Sequence, residues 1–355
     1  MTPRDRFLAV LRGEMPDRIP FVAFYNKIPR CEVERQLRNQ GLCIINKMSV
    51  WNESYQDLAE EVLRYRGADG VWREKTTVHT PAGDVCKVDR PAPGTTWHEK
   101  LWFSGPQDYE AIEVMIRARA YTPKYRAYDD AVAGDGGDIV ERVRLGWSPL
   151  QEIIYEIIGV ERFAYEWADR RLQVLRLYEA LADDFRVRCE VAAESPAASV
   201  ICDGNVSAEV MGRPRFEEYV LPHWNHCADV MHRRGKHVGA HLDAKQGPLT
   251  EAIGRSRLDF IESFTPPPEG DLTLAEARRA WPGKVILMNF PSSLHHWGPQ
   301  AVEEAAVDII RQSAPGDRFM LGVFEDVPGD WRQTVPAIAR AIERHGRIPI
   351  PACLP

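Results

Sequence analysis

No stretch of this 355-residue chain approaches the roughly 18 uninterrupted apolar positions that a bilayer-spanning helix requires. The opening MTPRDRFLAVLRGE spreads charge through its short apolar run, where a cleavable leader would keep an apolar segment clear of charge. Neither a membrane anchor nor a secretory signal is expected. The seven cysteines, Cys31, Cys43, Cys86, Cys189, Cys202, Cys227 and Cys353, are odd in number and contain no CxxC pair. That argues against a disulfide framework and a thiolate zinc knuckle, and it fits a reducing cytoplasm. No glycine-rich phosphate loop follows any strand-like segment, so a nucleotide-binding doubly wound sheet has no support. Positive charge is not in excess either: 45 Lys and Arg face 52 Asp and Glu, a formal net charge of −7. Such a balance offers no global attraction for phosphate backbones, and nucleic acid is not expected as a partner.

What is present is an ordinary globular composition. Hydrophobic residues make up 44% and charged residues 27%, which excludes disordered and low-complexity classes. The length is within reach of one large α/β barrel, so a single domain over 1–355 is the simplest expectation. Thr2-Pro3 followed by Phe7, Leu8, Val10 and Leu11 predicts an opening helix that Gly13 stops. Residues 1–70 then read as an N-terminal extension and first strand, with Ile19–Phe24 the strand and Cys31–Asn39 a helix. Over 71–102 the pattern changes. Thr76, Thr77 and Val78, a Pro81-Ala82-Gly83-Asp84 turn, then Val85, Cys86 and Val88 predict an inserted antiparallel β-hairpin.

Residues 106–134 have a helical pattern, and strand and helix signals alternate after them. Strands are expected at Ile139–Leu145, Ala198–Cys202, His237–His241, Leu258–Glu262, Val285–Asn289 and Phe319–Gly322. Helices are expected near 148–158, 160–168, 170–190, 215–234, 248–254, 273–280, 299–313 and 332–344. This beat means crossover units and a parallel sheet.

In parallel α/β folds the site gathers where strands end. Five consecutive strand ends carry Asp203-Gly204-Asn205, His241-Leu242-Asp243, Glu262, Asn289 and Glu325-Asp326. For any single one of these a helix cap or loop role is the ordinary explanation; their repetition on one rim favours a site. His241 and Asp243, two apart, share a side of an extended segment and form two candidate ligands for zinc or another divalent ion. Glu325 is a third, and three ligands leave an open position. An equally simple reading has His241 and Asp243 hydrogen-bonded without metal. His296 of the His295-His296 pair and Trp147, at an early strand end, are candidates to line a ligand pocket. His223, His226, Cys202 and Cys227 read as packing residues.

Several segments together resemble the uroporphyrinogen decarboxylase superfamily: MTPRDRFLAVLRGEMPDRIPF, the HLD strand end, LDFIESFTPPPEGDLTLAEARRAWPGKVILMNFP and LGVFEDVPGDWRQTVPAIARAIERHG. The resemblance implies a (β/α)8 TIM barrel with an N-terminal helical extension. Where the haem-pathway decarboxylase carries an arginine-rich loop for its many-carboxylate substrate, this chain offers only Lys27 and Arg30. It is therefore closer to the corrinoid-dependent zinc methyltransferases of the superfamily, including the O-demethylase type. Those carry zinc on an HxC strand end and a later cysteine; the matching positions here are His241-x-Asp243 and Glu325. The resemblance thus implies zinc at His241 and Glu325, with Asp243 a third ligand or an orienting group. Glu262 would be a further ligand or general acid, and Asp203, Asn205 and Asn289 would position substrate. The methyl group would pass from a small methylated compound, such as a methoxylated aromatic, to cobalamin on a separate corrinoid protein, and a homodimer is compatible. The rival readings are a metal-free carboxy-lyase, with Asp203 or Asp243 as proton donor and Lys245 or Arg30 holding a carboxylate, and a barrel that binds a ligand without chemistry.

Overall fold

The computed structural model describes residues 1–92, 95–204, 206–243 and 245–351. The chain forms two compact units, one of Met1–Ser49, Tyr125–Gly146 and Ala193–Pro355, the other of Val50–Lys124 and Trp147–Ala192.

The first unit is a TIM barrel. Its eight parallel strands are β1 (Phe21–Phe24), β2 (Leu42–Met48), β3 (Ile139–Gly146), β4 (Ser199–Cys202), β5 (His237–His241), β6 (Phe260–Phe264), β7 (Val285–Asn289) and β8 (Phe319–Val323). They pair in sequence order and close through β1 and β8, with Phe21 opposite Leu321. Strands buried on both faces read as continuous apolar runs, and β1, β4, β6, β7 and β8 are buried at every position. Gly239 in β5 makes room for the Phe260 ring, which would lie 2.2 Å from any Cβ there.

The opening helix α1 (Pro3–Leu11) starts as its sequence dictates. Thr2 and Asp5 form a reciprocal capping box, and Pro3 occupies the first turn. Arg4 donates from Nε to the Ile139 carbonyl at the start of β3, 2.6 Å away. Phe7, Val10 and Leu11 join Val22, Ile45, Val140, Phe260, Leu287 and Met320 in one buried cluster, so α1 plugs the amino-terminal end of the barrel. Burying one such side chain contributes about 1.5–3 kcal/mol.

The predicted strand positions hold within a few residues, but β2 is absent from the expectations. Its sequence LCIINKM ends in polar and charged residues and follows a helix after only Gln40-Gly41, so it lacks the flanking turn signals of the others. The 106–134 stretch is also not one helical run: helices Tyr109–Arg117 and Tyr125–Gly134 flank a strand at Arg119–Pro123, which pairs with Trp51–Tyr55.

The second unit contains the inserted hairpin, Trp72–Thr80 with Gly83–Ala92, as the middle of a four-stranded antiparallel sheet whose edges are Ala59–Arg66 and Thr95–Lys100. Its interior holds a closed ionic cluster. Arg119 reaches Glu152 at 2.6 Å, Arg188 reaches Glu152 at 3.0 Å and Asp184 at 2.9 Å, and the Tyr121 hydroxyl donates to Asp184 at 2.5 Å. No described helix in either unit is long and apolar enough to cross a membrane.

Candidate active site

Parallel register brings the polar strand ends of the barrel together. His241 closes β5 directly opposite Glu262 of β6, and its Nδ1 lies 3.0 Å from Glu262 Oε2. Glu262 is fully buried. Lys47 of β2 places Nζ 2.6 Å from the same oxygen, and Arg142 of β3 pairs with Oε1. Arg142 is fully buried too, its guanidinium 5.1 Å from the Phe7 ring centroid and 4.5 Å from that of Phe260. Burial alone would raise the Glu262 pKa; the Lys47 and Arg142 charges and the His241 bond overcome it and hold the carboxylate far below its usual range.

With Nδ1 engaged, the other ring nitrogen faces two more carboxylates. Nε2 is 3.6 Å from Asp243 Oδ2 and 3.6 Å from Glu325 Oε1. One ligand atom from each of the three residues lies within 4.8 Å of the others. Burial disfavours a charged imidazole, yet the adjacent carboxylates of Asp243 and Glu262 carry His241 up to about 9. Burial would also raise Asp243, but the neighbouring His241 imidazole brings it down. Glu325 is pushed up, first by burial and then by the negative charge of Asp243. Two carboxylates thus crowd one imidazole, and a proton on Nε2 relieves the repulsion that a bound cation would also relieve.

The donor set fits a divalent ion. One nitrogen and two oxygens suit zinc and its neighbours. Tetrahedral zinc with bonds near 2.1 Å sets ligand atoms about 3.4 Å apart, close to the two 3.6 Å separations found. A carboxylate behind the ligating imidazole is the arrangement that fixes the ring and its tautomer in metal sites.

Four further features hold the group in place. Ser263, in a left-handed backbone conformation (φ 63°), sits at an irregularity in the β6–β7 register between Glu262 and Phe264 and donates its hydroxyl to Glu325 Oε1 at 2.9 Å. Such bulges re-aim side chains at strand ends. The Asn289 side-chain oxygen Oδ1 accepts from the backbone N–H of Phe324 at 2.9 Å and of Glu325 at 3.3 Å, tethering the segment that presents Glu325. Gly204 lies against His241, where a Cβ would fall 1.8 Å from the His241 carbonyl oxygen and 2.8 Å from ring Cδ2. Phe24 stacks on the imidazole with centroids 5.9 Å apart, and Lys47 Nζ lies 4.0 Å from the Phe24 centroid.

Of the residues expected from sequence, His241, Asp243 and Glu325 meet. Glu262 stands at the opposite ring nitrogen, Nδ1, fully buried and in contact with Lys47 and Arg142. Asp203 is engaged by Arg144, with Nε at 2.7 Å and Nη2 at 2.5 Å. Asn289 grips backbone. His296 is exposed outside the group, while His295 is buried with Nδ1 2.7 Å from the Thr334 hydroxyl. Trp147 belongs to the second unit, where its indole N–H donates to Glu156 at 2.9 Å and its ring lies 5.2 Å from that of Tyr155. Asn205 lies outside the described residues. Sequence reasoning missed Lys47, Arg142, Ser263 and Phe24. The only local trace is one lysine in LCIINKM and two arginines in IVERVRLG, strands that also carry Asn46 and Glu141, and nothing there marks which cation turns inward.

No family model and no curated protein matches the chain. Among solved structures, a methyltransferase from Methanosarcina mazei aligns over 97% of this chain and 99% of its own, with a TM-score of 0.59 and 10% identity. A pneumococcal exo-β-D-N-acetylglucosaminidase aligns over 92% of this chain and 84% of its own, at a TM-score of 0.36 and 8% identity. At these identities the first likeness is one of fold, a complete barrel matched end to end, and the second is too loose to carry argument.

Proposed function

We propose that this barrel is a metal-dependent methyltransferase that moves a methyl group from a small methylated substrate, such as a methoxylated aromatic, to the corrinoid of a separate protein. The observation that carries the reading is the convergence of His241, Asp243 and Glu325 on one point of the carboxyl-terminal rim, with Glu262 braced behind the imidazole. The full-length match in fold to a methyltransferase barrel is consistent with it. His241 through Nε2, Asp243 and Glu325 would hold zinc. When bound, the ion supplies Lewis acidity toward the heteroatom that leaves the methyl group.

The chain's own residues do the rest. Glu262 accepts the Nδ1 proton and presents Nε2 outward; Lys47 and Arg142 keep Glu262 ionised so that it does not compete for that proton. The two rim carboxylates balance a divalent charge, and oxygen ligands leave the ion a harder acid than thiolates would, which suits an ether oxygen. Phe24 forms an apolar wall beside the imidazole and limits water on that side.

The test is metal analysis of the purified protein and its His241→Ala variant, followed by methyl-transfer assays with methylated donors and cob(I)alamin. Near-stoichiometric zinc that the variant loses, with donor-dependent methylcobalamin formation, is the expected result. Absence of metal from both proteins after purification with zinc present would overturn it.

A further inference from the structure

The second unit leaves one long sheet edge unpaired. Strand Ala59–Arg66 pairs with Trp72–Thr80 on one side through eight uninterrupted registers and has no strand on the other among the described residues. Seven of its eight residues are exposed, including Val62 at 51% and Leu63 at 50%. Free edges are templates for another chain, and proteins blunt them with charged side chains, lysine above all, with proline, with bulges or with brevity. The opposite edge, Thr95–Lys100, shows such measures: it is six residues long, ends in lysine and meets its neighbour through a register shift at Val88/Asp89. The edge AEEVLRYR has no proline, no lysine and no bulge, and its four charges are two of each sign.

Its charges are arranged to accept a copy of itself. Two identical antiparallel strands related by a two-fold axis must place one residue opposite its own copy, because directly opposed residues alternate between two hydrogen-bonding types. With Val62 on the axis, Glu60 falls opposite Arg64 of the second copy and Arg64 opposite its Glu60. Residues 60, 62 and 64 share one face of the strand, so an apolar pair is flanked on each side by an opposite-charge pair. We propose that Ala59–Arg66 is a self-association edge, through which two copies of this chain join their four-stranded sheets antiparallel about Val62. The chemistry selects a second copy over an arbitrary strand, since like charges directly opposite are destabilising and this register alternates their sign.

Sedimentation velocity on the full chain, with single-residue variants, tests this. The parent is expected to be a concentration-dependent dimer. Glu60→Arg sets like charges opposite each other twice and should weaken association about tenfold; Arg64→Glu should do the same, and the double exchange Glu60→Arg/Arg64→Glu should restore it. Under mild oxidation Val62→Cys should form a covalent dimer that the parent does not, while Leu63→Cys should not, because Leu63 is opposite Glu61 in this register. A parent that is monomeric at every concentration overturns the proposal. So does a dimer indifferent to both single charge changes, or one that crosslinks through position 63 and not 62.

Discussion

Replacing Glu262 by Gln keeps its shape and removes its charge, and the structure sets the size of the consequence. Glu262 is wholly enclosed and neutralises Arg142, also wholly enclosed, whose Nε and Nη2 have no hydrogen-bond partner. Lys47 is less affected, since its side chain keeps 23% of its surface exposed and can turn to water. Stripping one partner from a buried pair costs about 3–5 kcal/mol, most of it the desolvation of the charge left behind. Glu262→Gln should lose that much in urea unfolding followed by far-UV circular dichroism. Adding Arg142→Met should return at least half of the loss, because the stranded cation is gone. The double variant should still bind zinc about 10–100-fold more weakly than the parent, since the imidazole has lost its orienting carboxylate. A loss below about 1 kcal/mol in the single variant, the size of an ordinary exposed substitution, would refute this account of the barrel interior. So would a double variant less stable than the single one.

Asn289→Ala removes the acceptor for two backbone N–H groups at Phe324 and Glu325. Stability should fall by about 1–3 kcal/mol, and zinc should dissociate faster in chelator competition while His241 remains in place; an unchanged off-rate would show that Glu325 is held by other means. His295 gives a pH signature separate from the His241 cluster. Burial lowers its pKa to about 4, below an unfolded value near 6.5, so the unfolded chain takes up the proton first. The contribution is complete above about pH 6.5 and is lost as pH falls toward 4, by up to about 3 kcal/mol. His295→Gln should flatten the stability profile in that window, and a parallel profile for the two proteins would contradict the assignment.

How much of this was legible in the sequence depended on whether a signal was local. Strand ends such as His237–His241 and Val285–Asn289 carry an apolar run, a boundary and a polar terminus within a few residues, and they fall where predicted. The triad His241, Asp243 and Glu325 was nameable because each member ends or follows such a strand. Lys47 and Arg142 were not. Their partner Glu262 lies 120 residues from Arg142, and nothing in either neighbourhood marks a cation as turned inward. Asn289 is similar: its terminal position suggested a substrate contact, and the tie of its side-chain oxygen to a backbone 35 residues away is set by a distant segment in the same way. The regular sequence beat also concealed the second unit, because a helical-looking 106–134 contains the strand Arg119–Pro123, whose register with Trp51–Tyr55 is set by long-range pairing.

The same distance explains why the barrel keeps charges in its interior at all. Replacing buried ion pairs by well-packed hydrophobes is often neutral or favourable, so buried charge is weak evidence of stabilisation. Lys47, Arg142 and Glu262 are therefore poorly explained as stabilisers of the fold. They are well explained as a support that holds Nδ1 of His241 against one carboxylate and turns Nε2 toward Asp243 and Glu325. The barrel supplies that support from three strands, β2 and β3, which are neighbours, and β6, which β4 and β5 separate from β3; closure of the sheet turns all three toward one interior. On this view the residues that cost the fold most are those one step removed from the rim, and it is their substitution, more than that of Asp203 or His296, that should couple loss of metal affinity to a change in stability.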